Sequence, residues 1–274
     1  MKYKSLLDII EHNNFICKNA PSDNKVVLGE MYGKERFCYL LYSLTRMEQP
    51  KTVVELGAGV GTCSFLIAQA LKENDSGMLW TIDNGQEWHQ YQLDVQEYFE
   101  THKEYFNYLT DKFGLQRFIR LVDNFDLTKN LVFDPMEKID LLFADAAGCD
   151  PNGCLKVLRG YLPLMSPRSN IFIDRASTIN HSHLYLEKVI SDLQNNKIHN
   201  SLLHGLTKGS QELLQKFVSR SKFTLIHLPE KDTNKVNQLQ NSTAWIKIEP
   251  LDFYFDDDII NLQLNDEAFL VDKK

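Results

Sequence analysis

Long apolar runs are missing from this chain. None approaches the ~20 consecutive residues that a membrane-spanning helix needs, and the opening stretch MKYKSLLDIIEHNN turns polar before a signal-peptide core forms. Positive charge is also in short supply, with 30 Lys and Arg against 37 Asp and Glu and a formal net charge of -7. Binding to nucleic acid leans on clustered cations, so neither nucleic acid nor membrane is expected as a partner. The five cysteines, Cys17, Cys38, Cys63, Cys149 and Cys154, are odd in number and lack the paired spacing of a zinc site. Read as free thiols, they suit a reducing compartment, and a soluble cytoplasmic protein is expected. No repeat or low-complexity linker marks a domain boundary. What is present, 274 residues of which 43% are hydrophobic and 24% charged, suffices for one large domain with a small appendage.

The first fifty residues read as helical, with Phe37, Leu40, Leu41, Leu44 and Met47 on one face and Pro50 as the stop. Short strands then alternate with helical patterns. TVVEL (52–56) precedes CSFLIAQALK, MLWTID (78–83) follows the turn-forming DSG, and RFIRLV (117–122) comes after a long helical insert. IDLLFAD (139–145) leads into a helix ending near Pro163, and NIFID (170–174) into one that starts near Ser182 and carries Leu186, Val189, Ile190 and Leu193 on one face. Strands apolar on both faces, each followed by a helix, predict a parallel sheet between helix layers. FTLIHLP (223–229) and TAWIKIE (243–249) pattern instead as a hairpin, which makes the last strand antiparallel.

The stretch TVVELGAGVG holds the functional signal. A parallel strand that ends where its helix begins leaves N–H groups facing a crevice at the carboxyl edge of the sheet. Gly57, Gly59 and Gly61 let the chain turn and let a ligand lie against bare backbone. Their G-x-G-x-G spacing is not the G-x-G-x-x-G of dinucleotide binding. Glu55, two residues earlier, would repel a pyrophosphate and suits a ligand bearing positive charge. Asp83, at the end of the second strand, is placed to accept hydrogen bonds from ribose hydroxyls. A tight packing turn, a strand-end cap at Asp83 and ordinary first-turn roles for Thr62 and Ser64 remain the plainer alternatives.

VVELGAGVG followed by WTID, IDLLFAD and NIFID resembles the core of the class I S-adenosylmethionine-dependent methyltransferases over roughly residues 30–250. The resemblance implies an α/β fold, a seven-stranded, mostly parallel, Rossmann-like sheet between helix layers with its last strand antiparallel. It implies S-adenosyl-L-methionine as cofactor, with Glu55 at the methionine end, Gly57, Gly59 and Gly61 as its bed, and Thr62 and Ser64 on its carboxylate. Asp83 would hold the ribose, and Asp123 or Asn124 would border the adenine. Three segments are then expected. Residues 1–50 form a helical lid or dimer arm, 51–250 the cofactor domain, and 251–274 an acidic tail.

Within that class the chain looks most like the small-molecule O-methyltransferases of the catechol type. There a metal joins an acid after the fourth strand to an Asp-Asn pair after the fifth. Asp145 and Asp174 match the acids, but Arg175 stands in the place of Asn, and a cation beside magnesium is repelled. The lysine base of that family is missing too, since Ala146, Ala147 and Gly148 follow Asp145. Metal is therefore disfavoured. Asp145, Asp174, His181 and His183 are the candidate bases, and Asp145 also a candidate neighbour of the cofactor. Trp88 is the aromatic of the insert expected to face a flat acceptor, most of the others being core. The reading is methyl transfer to a hydroxyl of a small molecule, as in natural-product biosynthesis, with a homodimer as a candidate assembly. N-methylation, a non-catalytic cofactor-binding protein and a nucleotide-dependent oxidoreductase are the alternatives.

Overall fold

The computed structural model describes residues 35–85, 88, 98–123, 125, 132–145, 150–176, 181–204, 206–229 and 242–251. Helix α1 (Glu35–Glu48) leads into β1 (Thr52–Leu56), α2 (Thr62–Asn74) and β2 (Met78–Ile82). Then come α3 (His102–Lys112), β3 (Ile119–Val122), β4 (Ile139–Ala144), α4 (Pro151–Tyr161) and β5 (Met165–Ile173). The chain continues through α5 (Ser182–Gln194), α6 (Asn200–Leu203), α7 (Lys208–Ser219), β6 (Ser221–Pro229) and β7 (Ser242–Pro250).

The strands form one seven-stranded sheet in the order β3-β2-β1-β4-β5-β7-β6. β1 pairs in parallel with β2 and β4, while β7 lies antiparallel between β5 and β6. All five residues of β1 are buried, the mark of a central parallel strand covered on both faces. Period-2 alternation sends Val53 to the layer of Leu41, Phe65, Ile67 and Phe106, and Val54 and Leu56 to that of Val157, Leu158, Leu186 and Val189. β7 alternates as its sequence predicts. Ala244, Ile246 and Ile248 enter the second layer, and Trp245 stacks on Phe172 at 5.4 Å across the first.

Three expectations need correction. Met47 is 75% exposed, and Cys38 is the packed residue instead. At 3.6 residues per turn, Met47 has rotated off the stripe formed by Phe37, Cys38, Leu41 and Leu44. The fifth strand, expected over NIFID (170–174), begins earlier, and MSPRSN (165–170) is part of it. It lies at the start of β5, where the register against β4 jumps from Ile139↔Met165 to Leu141↔Asn170. The extra residues form a bulge held by the Ser166 and Ser169 hydroxyls, which donate to the carbonyls of Arg168 and Ser166. Helix α7 has no counterpart in the sequence reading, although Leu214, Phe217 and Val218 fall on one face at helical spacing and pack on the core.

Backbone bonds carry the sheet one residue past its strands. The amide of Gly57 donates to Ile82, Asp83 to Val122, Asp145 to Leu56 and Asp174 to Ala144, at 2.9 to 3.2 Å. These four residues therefore stand in one row along the carboxyl edge. Among the described residues, no helix is long and apolar enough to cross a membrane. Residues 1–34 and 252–274, assigned to the arm and the tail, lie outside the described residues.

Candidate functional site

Gly57, Gly59 and Gly61 have φ of 92°, 52° and 84°, the left-handed region that a side chain resists. At Gly61 a Cβ would overlap the Phe65 ring. The Gly61 amide closes the turn on Ala58 at 2.8 Å, and Phe65 donates back to Gly61 at 2.9 Å. Gly61 caps α2 without a side-chain hydrogen bond, so the positive end of the helix is presented directly behind the glycine bed. Thr62, half-buried, is the first helical residue.

The loop is gripped from two sides. Asp83, half-buried, accepts the Gly59 amide at 2.9 Å and the Gly85 amide at 2.8 Å. From α3, His102 Nε2 lies 2.8 Å from the Gly59 carbonyl, and the Tyr105 hydroxyl donates to the Val60 carbonyl at 3.0 Å. Sequence reasoning missed these two residues, since an aromatic on an amphipathic helix gives no sign of which backbone it will meet. The α3 start that places them is legible: Thr101 and Glu104 form a capping box.

Glu55 and Ser64 are arranged otherwise than expected. Glu55 is fully buried, and its Oε2 accepts from the hydroxyls of Ser64 and Thr81, the latter at 2.6 Å. Ser64, also fully buried, donates its hydroxyl hydrogen bond to Glu55 and is not turned toward a cofactor carboxylate. The acid thus ties β1 to α2 and β2 beneath the loop. Burial pushes its carboxyl up to about 7 against the two hydroxyl donors. Its Oε1 is buried without a hydrogen-bond partner, a deficit of ~1–3 kcal/mol that an incoming donor would remove.

Further along the edge, Arg175 adopts φ 54° and threads its guanidinium between two acids. It lies 3.5 Å from Asp145 Oδ1 and 3.7 Å from Asp174 Oδ2, and donates to the Asp145 carbonyl at 3.1 Å. Asp174 is 2% exposed and also accepts from the Thr243 hydroxyl at 3.1 Å. A divalent cation bridging these carboxylates would meet a fixed positive charge between them. The donor set therefore does not fit the catechol-type metal.

The remaining candidates scatter. Asp123 pairs with Lys103 at 2.9 Å, and Asn124 lies outside the described residues. His181 is exposed at the start of α5. His183 is buried, stacked on His227 at 3.9 Å and 3.5 Å from Glu187, so it faces β6. Trp88, expected to wall the acceptor, is 4% exposed and stacks on Tyr105 at 5.2 Å as core. A cleft of about 540 Å³ opens at the opposite, amino edge of the sheet. Its charges are already engaged: Arg168 with Glu48 at 3.6 Å, and Asp140 with the amides of Lys51 and Thr52.

Residues 54–175 match the sequence family described as a methyltransferase domain. No curated protein sequence matches the chain. Among solved structures, the chain is similar to the O-methyltransferase TomG from Streptomyces achromogenes, involved in tomaymycin synthesis and solved with S-adenosylmethionine. Identity there is 14%, 91% of each chain is covered, and the TM-score is 0.49. It is also similar to an O-methyltransferase from Bacillus cereus in complex with S-adenosylhomocysteine, at 13% identity over 91% of this chain and 92% of that one, TM-score 0.46. A third is the methyltransferase PaMTH1 from Podospora anserina bound to S-adenosylhomocysteine, at 14% identity over 87% and 86% of the chains, TM-score 0.45.

Proposed function

We propose that this protein, whose residues 54–175 match the methyltransferase-domain family, is an S-adenosylmethionine-dependent O-methyltransferase acting on a small molecule. The observation that carries the reading is the alignment of the left-handed glycine bed with Asp83 and Asp145 in one row at the carboxyl edge. Backbone unobstructed by Cβ atoms, a helix N-terminus and an acid at the end of the adjacent strand suit a ligand with a carboxylate at one end and a ribose at the other. When bound, the cofactor supplies an electrophilic methyl group.

The chain's own residues then have three tasks. The Gly57–Gly61 bed and the first turn of α2 seat the methionine part, with Thr62 facing its carboxylate. Asp83 exchanges backbone amides for ribose hydroxyls. Beneath the loop, Glu55 offers an unpartnered carboxyl oxygen, which a donor or cationic group on the ligand would satisfy and a pyrophosphate would not.

For the acceptor, Asp145 is the group that remains. Asp174 is sealed in, while His181 is exposed one loop away. Asp145 is half-buried at the strand end, with its carboxylate oriented by Arg175. It takes the hydroxyl proton as the oxygen attacks, and most of the rate comes from orientation. No step passes through a metal.

Calorimetric titration of S-adenosylmethionine and S-adenosylhomocysteine, with NAD(H) as control, tests the cofactor. Saturable binding of both sulfur compounds is expected, and binding of NAD(H) alone would overturn the reading. Transfer of labelled methyl to a panel of hydroxyl and amine acceptors tests the chemistry, with the hydroxyl compounds expected to carry the label.

A further inference from the structure

Two of the sequence's five cysteines meet. Cys38 on α1 and Cys63 on α2 bring their sulfur atoms to 3.1 Å across a sequence separation of 25 residues, roughly 1 Å beyond the covalent S–S length. Cys38 is 1% exposed, enclosed with Leu66 and Tyr42. Cys63 is half-buried, the second residue of α2 and directly between Thr62 and Ser64. Cys154, by contrast, is buried in the layer on the other side of the sheet.

We propose that Cys38 and Cys63 form a redox-modification site, closing an intramolecular disulfide when the protein meets a small disulfide oxidant such as oxidised glutathione. Cys63, the less buried of the two residues, loses its proton to solvent as the site opens and attacks one sulfur of the oxidant. The oxidant's S–S bond breaks and one glutathione leaves as a thiol. Cys38, already in contact, then gives up its proton and attacks the Cys63 sulfur, which displaces the second glutathione as a thiol. Two protein thiols are oxidised, and one glutathione disulfide is reduced to two thiols.

The surroundings set the pace. The contact with Cys38, burial, and the negative charges of Glu55 and Asp145 hold the Cys63 thiol well above the usual thiol range. Exchange is therefore slow near neutrality and accelerates as pH rises. The bond fastens α1 to the first turn of the helix behind the glycine bed, and neither its formation nor its detection depends on methyl transfer.

The test is incubation of the full chain with millimolar oxidised glutathione at pH 8 to 9, followed by intact mass and peptide mapping. The expected product has lost two hydrogens, carries a Cys38–Cys63 cross-linked peptide and reverts with dithiothreitol. In it, amide exchange across residues 36–48 slows by about fivefold or more. Cys38→Ser should stop at a glutathione adduct on Cys63, with a thermal melt checking that this variant is folded. A persistent adduct on wild-type Cys63, or both thiols still reduced after the oxidant has had a day, would overturn the proposal.

Discussion

The Asp83 carboxylate accepts the Gly59 amide at 2.9 Å, fastening the end of the second strand to the loop that follows the first. The same oxygens are the ones a ribose would claim. Asp83→Ala is expected to weaken S-adenosylmethionine binding by ~1–3 kcal/mol, or about 5- to 150-fold in Kd, in calorimetric titration. Unchanged affinity would remove Asp83 from the cofactor site.

Gly61→Ala should destabilise the fold as well as the site. The new methyl group enters the Phe65 ring, and φ of 84° is unfavourable for alanine. A loss of ~1–3 kcal/mol is expected in denaturant unfolding. A variant as stable as wild type would mean that the loop rearranges freely.

Asp145→Asn keeps the shape of the residue and removes its capacity to accept a proton. Turnover should fall by about 100-fold or more while cofactor affinity stays within a few-fold of wild type. Equal losses in both would make Asp145 a cofactor ligand only.

Chelation separates the present site from the catechol type. Methyl transfer by wild type should be indifferent to EDTA and to magnesium, because Arg175 holds the place between Asp145 and Asp174. Arg175→Asn removes that charge and should gain a magnesium-dependent rise in Tm. Magnesium stimulation of the wild-type enzyme would show that the guanidinium yields the place.

Glu55 predicts a pH dependence of stability. Its folded value of about 7 lies above the ordinary 4.5, so between these two pH values the folded state binds more protons than the unfolded one. Stability contributed by the protonated carboxyl is complete below pH 4.5 and is lost as pH rises toward and through 7. The difference amounts to up to about 3 kcal/mol. Chemical denaturation from pH 4.5 to 8 should show this decline in wild type and a flatter profile in Glu55→Gln. Parallel profiles would place the titration elsewhere.

The motifs and the fold differ in how far they could be read along the chain. Strands β1, β2 and β4 are contiguous apolar runs with glycine or acid at their ends, and an antiparallel β7 follows from the alternation of TAWIKIE. The left-handed glycine bed follows from three alternate glycines after a buried strand, because only glycine adopts that backbone at little cost. These features depend on near neighbours in sequence, and so does the capping box that starts α3.

Partners distant in sequence were decided by packing alone. Glu55 could be placed at a strand end, but whether its carboxyl faces a ligand or Ser64 and Thr81 depends on how α2 and β2 lie on β1. Trp88 could be read as wall or core until Tyr105 took it in. The grip of His102 and Tyr105 on the Gly59 and Val60 carbonyls, and the meeting of Cys38 with Cys63, join segments tens of residues apart. Local propensity carries no record of such contacts. The sequence determined the sheet, the glycine bed and the acids at its edge, because these rest on side-chain period and backbone allowance. Only the tertiary structure decided which acids are sealed and which stay half-buried at the sheet edge, because burial and hydrogen-bond pairing exist only once the layers have closed.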